Sequence, residues 1–281
     1  MDKTYLTNGK QLSFDKPQVM AIVNLTPDSF YDGGKFSSVS EILKDVALKI
    51  RQGATIIDIG AVSSKPNATP VLPKDEISRF KVPLFNLRKE FPHIIISVDT
   101  YLSEVADMAI SLGADMINDI SGGTLDEKMT DLIIKNNIAY VLMHMKGNPQ
   151  TMQKNPTYIN VVNEINSFFK NKIQEFKDKG FDKLILDVGF GFGKTIEHNY
   201  ILLKKINIFK IHGFPILAGL SRKSMINNVI HTNPSTALNG TTVLNTLALS
   251  NGANMLRVHD VTEAQQAIEL WNFYQSIRIS K

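Results

Sequence analysis

Eight short apolar runs recur along the chain, each followed by a longer stretch of mixed polarity. They cover residues 19–24, 54–60, 93–100, 114–120, 138–145, 183–189, 214–220 and 253–259, and few polar positions interrupt them. Near-continuous apolar strands suit a parallel sheet covered on both faces. Amphipathic helical segments, among them 40–52, 74–90, 125–136 and 158–179, supply the cover. Eight such units predict an α/β fold, a closed (β/α)8 TIM barrel. Residues 1–16 precede the first unit and are expected to cap the bottom of the barrel, with 17–281 forming the barrel of a single domain. The segment 270–277, LWNFYQSI, reads as helical, and its aromatics are expected in the core.

Three segments, GATIID (53–58), GADMIN (113–118) and GANMLR (252–257), share one pattern of Gly-Ala followed by apolar and then polar residues. Glycine caps the preceding helix and the strand follows at once. Side chains alternate between faces along a strand. Ala54, Ile56 and Asp58 therefore share a face, as do Ala114, Met116 and Asn118, and Ala253, Met255, Arg257 and His259. Small residues are expected at the bottom of these inward faces and polar ones at the top. The strand ends supply Asn24, Asp58, Asp99, Asn118, His144, Asp187, and Arg257 with His259. One polar residue after a strand is ordinary turn chemistry. Nearly every strand ending this way predicts convergence on one cavity at the carboxyl rim, where barrel active sites lie.

Composition narrows the function. The 281 residues are 43% hydrophobic and 21% charged, ordinary for a soluble globular chain. The formal charge of +4 suits small anionic substrates but is too weak and scattered for nucleic acid. There are no cysteines, which removes disulfides, thiolate catalysis and thiolate-bound zinc and fits a reducing compartment. No secretory signal is read at the N-terminus, and no apolar run reaches the ~18 residues of a membrane span, so a cytoplasmic protein without membrane partners is expected.

The stretch LDVGFGFGKT (186–195) looks like a phosphate loop and fails the test. The phosphate-loop pattern places a glycine five positions before Gly193, where Val188 stands, and the dinucleotide spacing fails as well. Asp99, Asn118 and Asp187 would instead place two carboxylates and an amide around a buried pocket, a set suited to reading the edge of a flat heterocycle. No histidine joins them at zinc-ligand spacing. GLSRKSM (219–225) adds Arg222, Lys223 and Ser224, with Lys223 able to donate to ring acceptors. Arg257 and His259 lie where barrels of this kind commonly bind phosphate. The turn-rich segments 24–38 and 60–71 are expected to act as lids.

MAIVNLTPDSFYDGG, GATIIDIG, SVDTY, INDISGG, LMHMKGNPQTMQ, DVGFGFGKT, GLSRKSMI and RVHDV, in that order from residue 20 to about 261, resemble the dihydropteroate synthases of folate biosynthesis. The resemblance implies a homodimeric, Mg²⁺-dependent transferase that condenses a pterin-CH2 diphosphate with p-aminobenzoate, the substrate that sulfonamides mimic. It implies that Asn24 ligates Mg²⁺. Asp99, Asn118, Asp187 and Lys223 would bind the pterin, with Phe192 beside it or the arylamine. Ser64, Arg257 and His259 would hold the diphosphate, and Ser224, Lys65 and Pro66 would approach p-aminobenzoate. Asp28, in the first lid, would join Asp99, Lys223, Arg257 and His259 in the catalytic set. Lys194 need not touch phosphate, and the glycines of 189–193 would let the backbone pass close to a flat ring.

The second lid departs from the family's usual Gly-Glu-Ser-Thr-Arg-Pro-Gly. Ala61-Val62-Ser63-Ser64-Lys65-Pro66-Asn67 keeps a hydroxyl at Ser64 and a charge at Lys65 but loses the arginine fork. Val188 stands where proline is common. Two alternatives are a folate-binding methyltransferase-type barrel and a pterin-binding pseudoenzyme.

Overall fold

The computed structural model describes residues 3–25, 35–61 and 71–277. Eight parallel strands close into a barrel. They are β3 (Gln18–Asn24), β4 (Ile56–Gly60), β5 (Ile95–Asp99), β6 (Met116–Asp119), β7 (Ala139–Met143), β8 (Leu184–Asp187), β9 (Ile216–Ala218) and β10 (Met255–Val258). Sequential strands pair, and β10 returns to β3 with Met255 opposite Gln18. An antiparallel hairpin, β1 (Thr4–Thr7) and β2 (Lys10–Ser13), precedes the ring. The helices are α1 (Lys35–Arg51), α2 (Pro73–Glu90), α3 (Ser103–Ser111), α4 (Lys128–Asn136), α5 (Val161–Asp178), α6 (Ile196–Lys205), α7 (Ser224–Ile230), α8 (Leu238–Ser250) and α9 (Val261–Ser276). Each of the eight apolar runs coincides with a barrel strand, β3 beginning one residue before its run. Among the described residues, no helix is long and apolar enough to cross a membrane.

The strand period sorts the core into two compartments. One parity, such as Val19, Ala21, Ile57, Ile59, Ile96 and Val98, faces the helices. The other parity fills the barrel, with Met20, Ile56, Ile95, Met116, Val141, Ile185, Leu217 and Met255 in its lower layers. Tyr5, Leu12 and Phe14 of the hairpin segment join this inner cluster and complete the floor. Thr7 ties the hairpin on: its hydroxyl donates to the Asp115 carbonyl and accepts the Ala139 N–H.

Two expectations change here. Ala54, Ala114 and Ala253 were expected inside the lower barrel. They belong to the helix-facing cluster instead, because the strands begin two residues later and the alternation does not extend back to them. Large apolar residues and the hairpin fill the bottom. The aromatics of 270–277 were expected in the core. Trp271 packs against it, but Leu270, Phe273 and Tyr274 are 72%, 69% and 74% exposed on α9.

Candidate active site

The inner faces of β4, β5, β6, β8 and β10 run from apolar at the floor to polar at the rim. Two residues on from Ile56 stands Asp58; two and four from Ile95 stand Ser97 and Asp99; two from Met116 stands Asn118. Ile185 leads to Asp187 and Met255 to Arg257. Strand register sets Asp58 beside Ser97 and Asp99 beside Asn118.

Arg257 joins these side chains. Its Nε donates to Asp58 Oδ2 at 2.6 Å and its Nη2 to Asp99 Oδ2 at 2.7 Å. Asn118 Nδ2 donates to the same Asp58 oxygen at 3.0 Å. Burial raises the Asp99 carboxyl above the ordinary range; Arg257 opposes the rise and Asp58 adds to it. Burial likewise raises Asp187, against the pull of Lys223 and the Gly189 N–H, which donates to Asp187 Oδ1 at 2.7 Å.

Lys223 comes from the loop after β9. Its Nζ donates to the Phe190 carbonyl at 2.6 Å and lies 4.9 Å from the centre of the Phe192 ring. Burial pushes this ammonium down to about 8, and Asp187 holds it up. The preceding residue, Arg222, adopts a left-handed backbone with φ 57°. It grips Asp260 through Nε at 2.9 Å and Nη2 at 2.7 Å, which locks the β9 loop to the β10 loop. On that second loop His259 is exposed, and its Nδ1 lies 2.9 Å from Ser221 Oγ. Ser224 is exposed at the first turn of α7, and Asn24 is exposed at the end of β3 opposite Gly60. Asp28, Ser64, Lys65 and Pro66 lie outside the described residues.

His144 does not enter the pocket. Met143 takes the inward parity of β7, so His144 turns outward, 8% exposed and 5.1 Å edge-on from Phe168. Its Nδ1 and its carbonyl both lie 3.2 Å from Lys194 Nζ, which also donates to the Phe192 carbonyl at 2.9 Å. Lys194 is 3% exposed, and burial pushes it down to about 7. It is a strut between the β7 and β8 loops. The glycines serve the same junction. Gly189 and Gly193 have φ of +70° and +65°, and a Cβ on either would collide with a backbone carbonyl, of His144 and Lys146 respectively. The close approach they permit is backbone against backbone; a Cβ on Gly191 would meet nothing nearer than Lys223 Cδ at 3.6 Å.

The pocket therefore presents three acceptors, Asp99, Asn118 and Asp187, and one flexible cation, Lys223, around a guanidinium held by two carboxylates. Residues 20–259 match the family described as pterin binding enzyme. The dihydropteroate synthase of Haemophilus influenzae is 40% identical over 266 residues, 94% of this chain and 96% of its own. The chain belongs to the dihydropteroate synthase family. It is accordingly a transferase of folate synthesis, and the methyltransferase alternative gives way. Two solved members from Xanthomonas albilineans carry the comparison into three dimensions. The synthase with 4-aminobenzoic acid superposes with a TM-score of 0.90 at 34% identity, covering 99% of this chain and 100% of its own. The one in complex with 7,8-dihydropteroate gives 0.86 at 33%, covering 98% and 100%.

Sequence reasoning noted Asp58 as a strand end but gave it no task, and it had no task for Lys194. Counting parity from Ala139 along β7 would have turned His144 outward. Nothing in the local sequence points to the carboxylate bridge through Arg257, which spans β4, β5 and β10.

Proposed function

We propose that this chain, as one pterin-binding domain, condenses 6-hydroxymethyl-7,8-dihydropterin diphosphate with p-aminobenzoate to give 7,8-dihydropteroate and diphosphate. The observation that carries this reading is the set of acceptors Asp99, Asn118 and Asp187 on the inward ends of β5, β6 and β8, with Lys223 facing Asp187 electrostatically. A pterin edge offers adjacent N–H donors to such a set, while Lys223 suits a ring oxygen or nitrogen. Phe192, beside Lys223, would flank the ring or the arylamine.

The C–O bond breaks with its electron pair leaving on the diphosphate, and the amine nitrogen bonds to the CH2 carbon and then releases a proton to water. Negative carboxylates near the pterin favour cationic character at that carbon, and an arylamine is neutral and nucleophilic at pH 7 without a strong base. His259 and the Nη1 of Arg257, which carries no protein hydrogen bond among the described residues, are available to the departing oxyanion. Ser64 would add a hydroxyl there, Lys65 and Pro66 would meet p-aminobenzoate with Ser224, and Asp28 would help the first lid exclude water.

Asn24 fits a Mg²⁺ role. Its amide oxygen is a hard donor, exposed at the rim, and Mg²⁺ usually takes few protein ligands beside phosphate and water. When bound, the ion would neutralise diphosphate charge. Among the described residues no cluster of acidic or histidine side chains is arranged for a metal, so one amide would hold it only weakly until the diphosphate arrives. Homodimerisation is supported by exposed apolar residues on adjacent helices, Val243 and Leu247 of α8 with Leu270, Phe273 and Tyr274 of α9. A cytoplasmic location is compatible with a biosynthetic enzyme of this kind.

Incubation with the pterin diphosphate, labelled p-aminobenzoate and Mg²⁺ tests the reading: labelled dihydropteroate supports it. Pterin binding without product across conditions would identify a pseudoenzyme.

A further inference from the structure

We propose that Asp58 is a positioning residue, one buried carboxylate that sets the hydrogen-bonding sense of Asn118 and the seat of Arg257 together. This rests on the reading of the pocket as a pterin site. Asp58 is fully buried on β4, below the rim. Oδ2 alone accepts both Arg257 Nε at 2.6 Å and Asn118 Nδ2 at 3.0 Å, and Oδ1 has no protein partner among the described residues.

An ionised carboxylate only accepts, whereas an asparagine amide has a donating and an accepting end. Asp58 Oδ2 already accepts Arg257 Nε in an ion pair at 2.6 Å, so it meets Asn118 as an acceptor. The donating end of Asn118 must therefore face Asp58, and its carbonyl oxygen is left for the pocket. Asn118 Oδ1 makes no protein hydrogen bond among the described residues. Asp99, Asn118 and Asp187 then all present acceptors along one side of the pocket. With the amide reversed, a donor would stand among them and oppose the N–H groups of the ring. The Arg257 bond works on the same part. A guanidinium held at Nε by Asp58 and at Nη2 by Asp99 has its plane fixed against the pocket, with Nη1 left over. Asp58 touches neither substrate in this arrangement; it acts through two residues that do.

The test begins without ligand. In protein labelled with ¹⁵N at asparagine, the Asn118 side-chain NH2, identified by its loss in Asn118→Ala, should show a downfield, slowly exchanging proton. Asp58→Asn should return it to the solvent-exposed position and weaken binding of a pterin lacking the diphosphate at least tenfold by calorimetry. KM for p-aminobenzoate should stay within about twofold. A double-mutant cycle with Asn118→Ala should be strongly non-additive, which a general loss of packing would not produce. An ordinary solvent-like Asn118 NH2 in the wild type overturns the proposal even if Asp58→Asn fails to fold, and so does an additive cycle. A bonded Asn118 NH2 in a wild type that binds no pterin upholds the positioning and overturns the functional reading instead.

Discussion

Replacing Asp187 with asparagine probes an acceptor whose orientation the backbone fixes. Asp187 is 6% exposed, and its Oδ1 accepts the Gly189 N–H at 2.7 Å. An amide in its place must keep its oxygen on that N–H, because its NH2 would otherwise oppose a second donor. The NH2 then takes the place of Oδ2 and faces the ligand. Asp187→Asn thus turns a charged acceptor into a neutral donor opposite a ring edge that itself donates. Losing a charge-assisted hydrogen bond costs about 1.5–3 kcal/mol. At tenfold per 1.4 kcal/mol, Kd for the pterin should rise roughly tenfold to 150-fold, and the opposed donors push toward the upper end. Because the Gly189 bond survives, the variant should still fold, with Tm lowered only as far as Lys223 and Lys194 miss the carboxylate that supports their charge. Calorimetric titration with a pterin lacking the diphosphate isolates the ring contribution. A folded variant whose Kd lies within about twofold of the wild type would refute both the ring contact and the reasoning about amide orientation.

Gly189→Ala adds a Cβ against the His144 carbonyl in a left-handed backbone, whereas Gly191→Ala meets only Lys223 Cδ at 3.6 Å. The second should cost the ordinary 1–2 kcal/mol or so of that conformation and the first clearly more, so equal losses of Tm count against the loop junction. His144 is pushed down to about 3 by burial, so between pH 6.5 and about 3 the unfolded imidazole binds a proton that the folded one refuses. Stability should fall with pH in that window at about 1.4 kcal/mol per unit at most, and His144→Gln should flatten the slope; parallel wild-type and variant profiles in chemical denaturation would exclude this. Turnover should vanish in excess chelator and return with Mg²⁺, and full activity without a divalent ion would remove the role given to Asn24.

The barrel was legible because its strands are unbroken apolar runs and a parallel ring buries both faces. Asp99, Asn118 and Asp187 were legible for a related reason: a side-chain period of two carries polar residues from an apolar floor to the rim on one face. The same rule misplaced Ala54, because it was extended past the point where the strand starts. It also left His144 in the pocket, because the end of β7 was counted and its parity was not. The α9 aromatics misled for a different reason. Hydrophobicity marks what avoids water, and a face exposed on one chain can be covered by a second. The Arg257 bridge and the Lys194 strut depend on three-dimensional neighbours from distant strands, which no local pattern encodes.

The hairpin floor has a consequence for synthesis. Tyr5 and Thr7 leave the ribosome well before their partners, the Leu184 carbonyl, the Asp115 carbonyl and the Ala139 amide. The ring itself stays open until β10, whose Met255 pairs with Gln18, has been made. The hairpin must therefore wait, unseated, until β8 has been made, and the seam can close only once β10 has followed. Until then the inner row of Met20, Ile56, Met116 and Ile185 has neither plug nor closing strand, and the nascent chain presents its future interior to chaperones rather than to a core of its own.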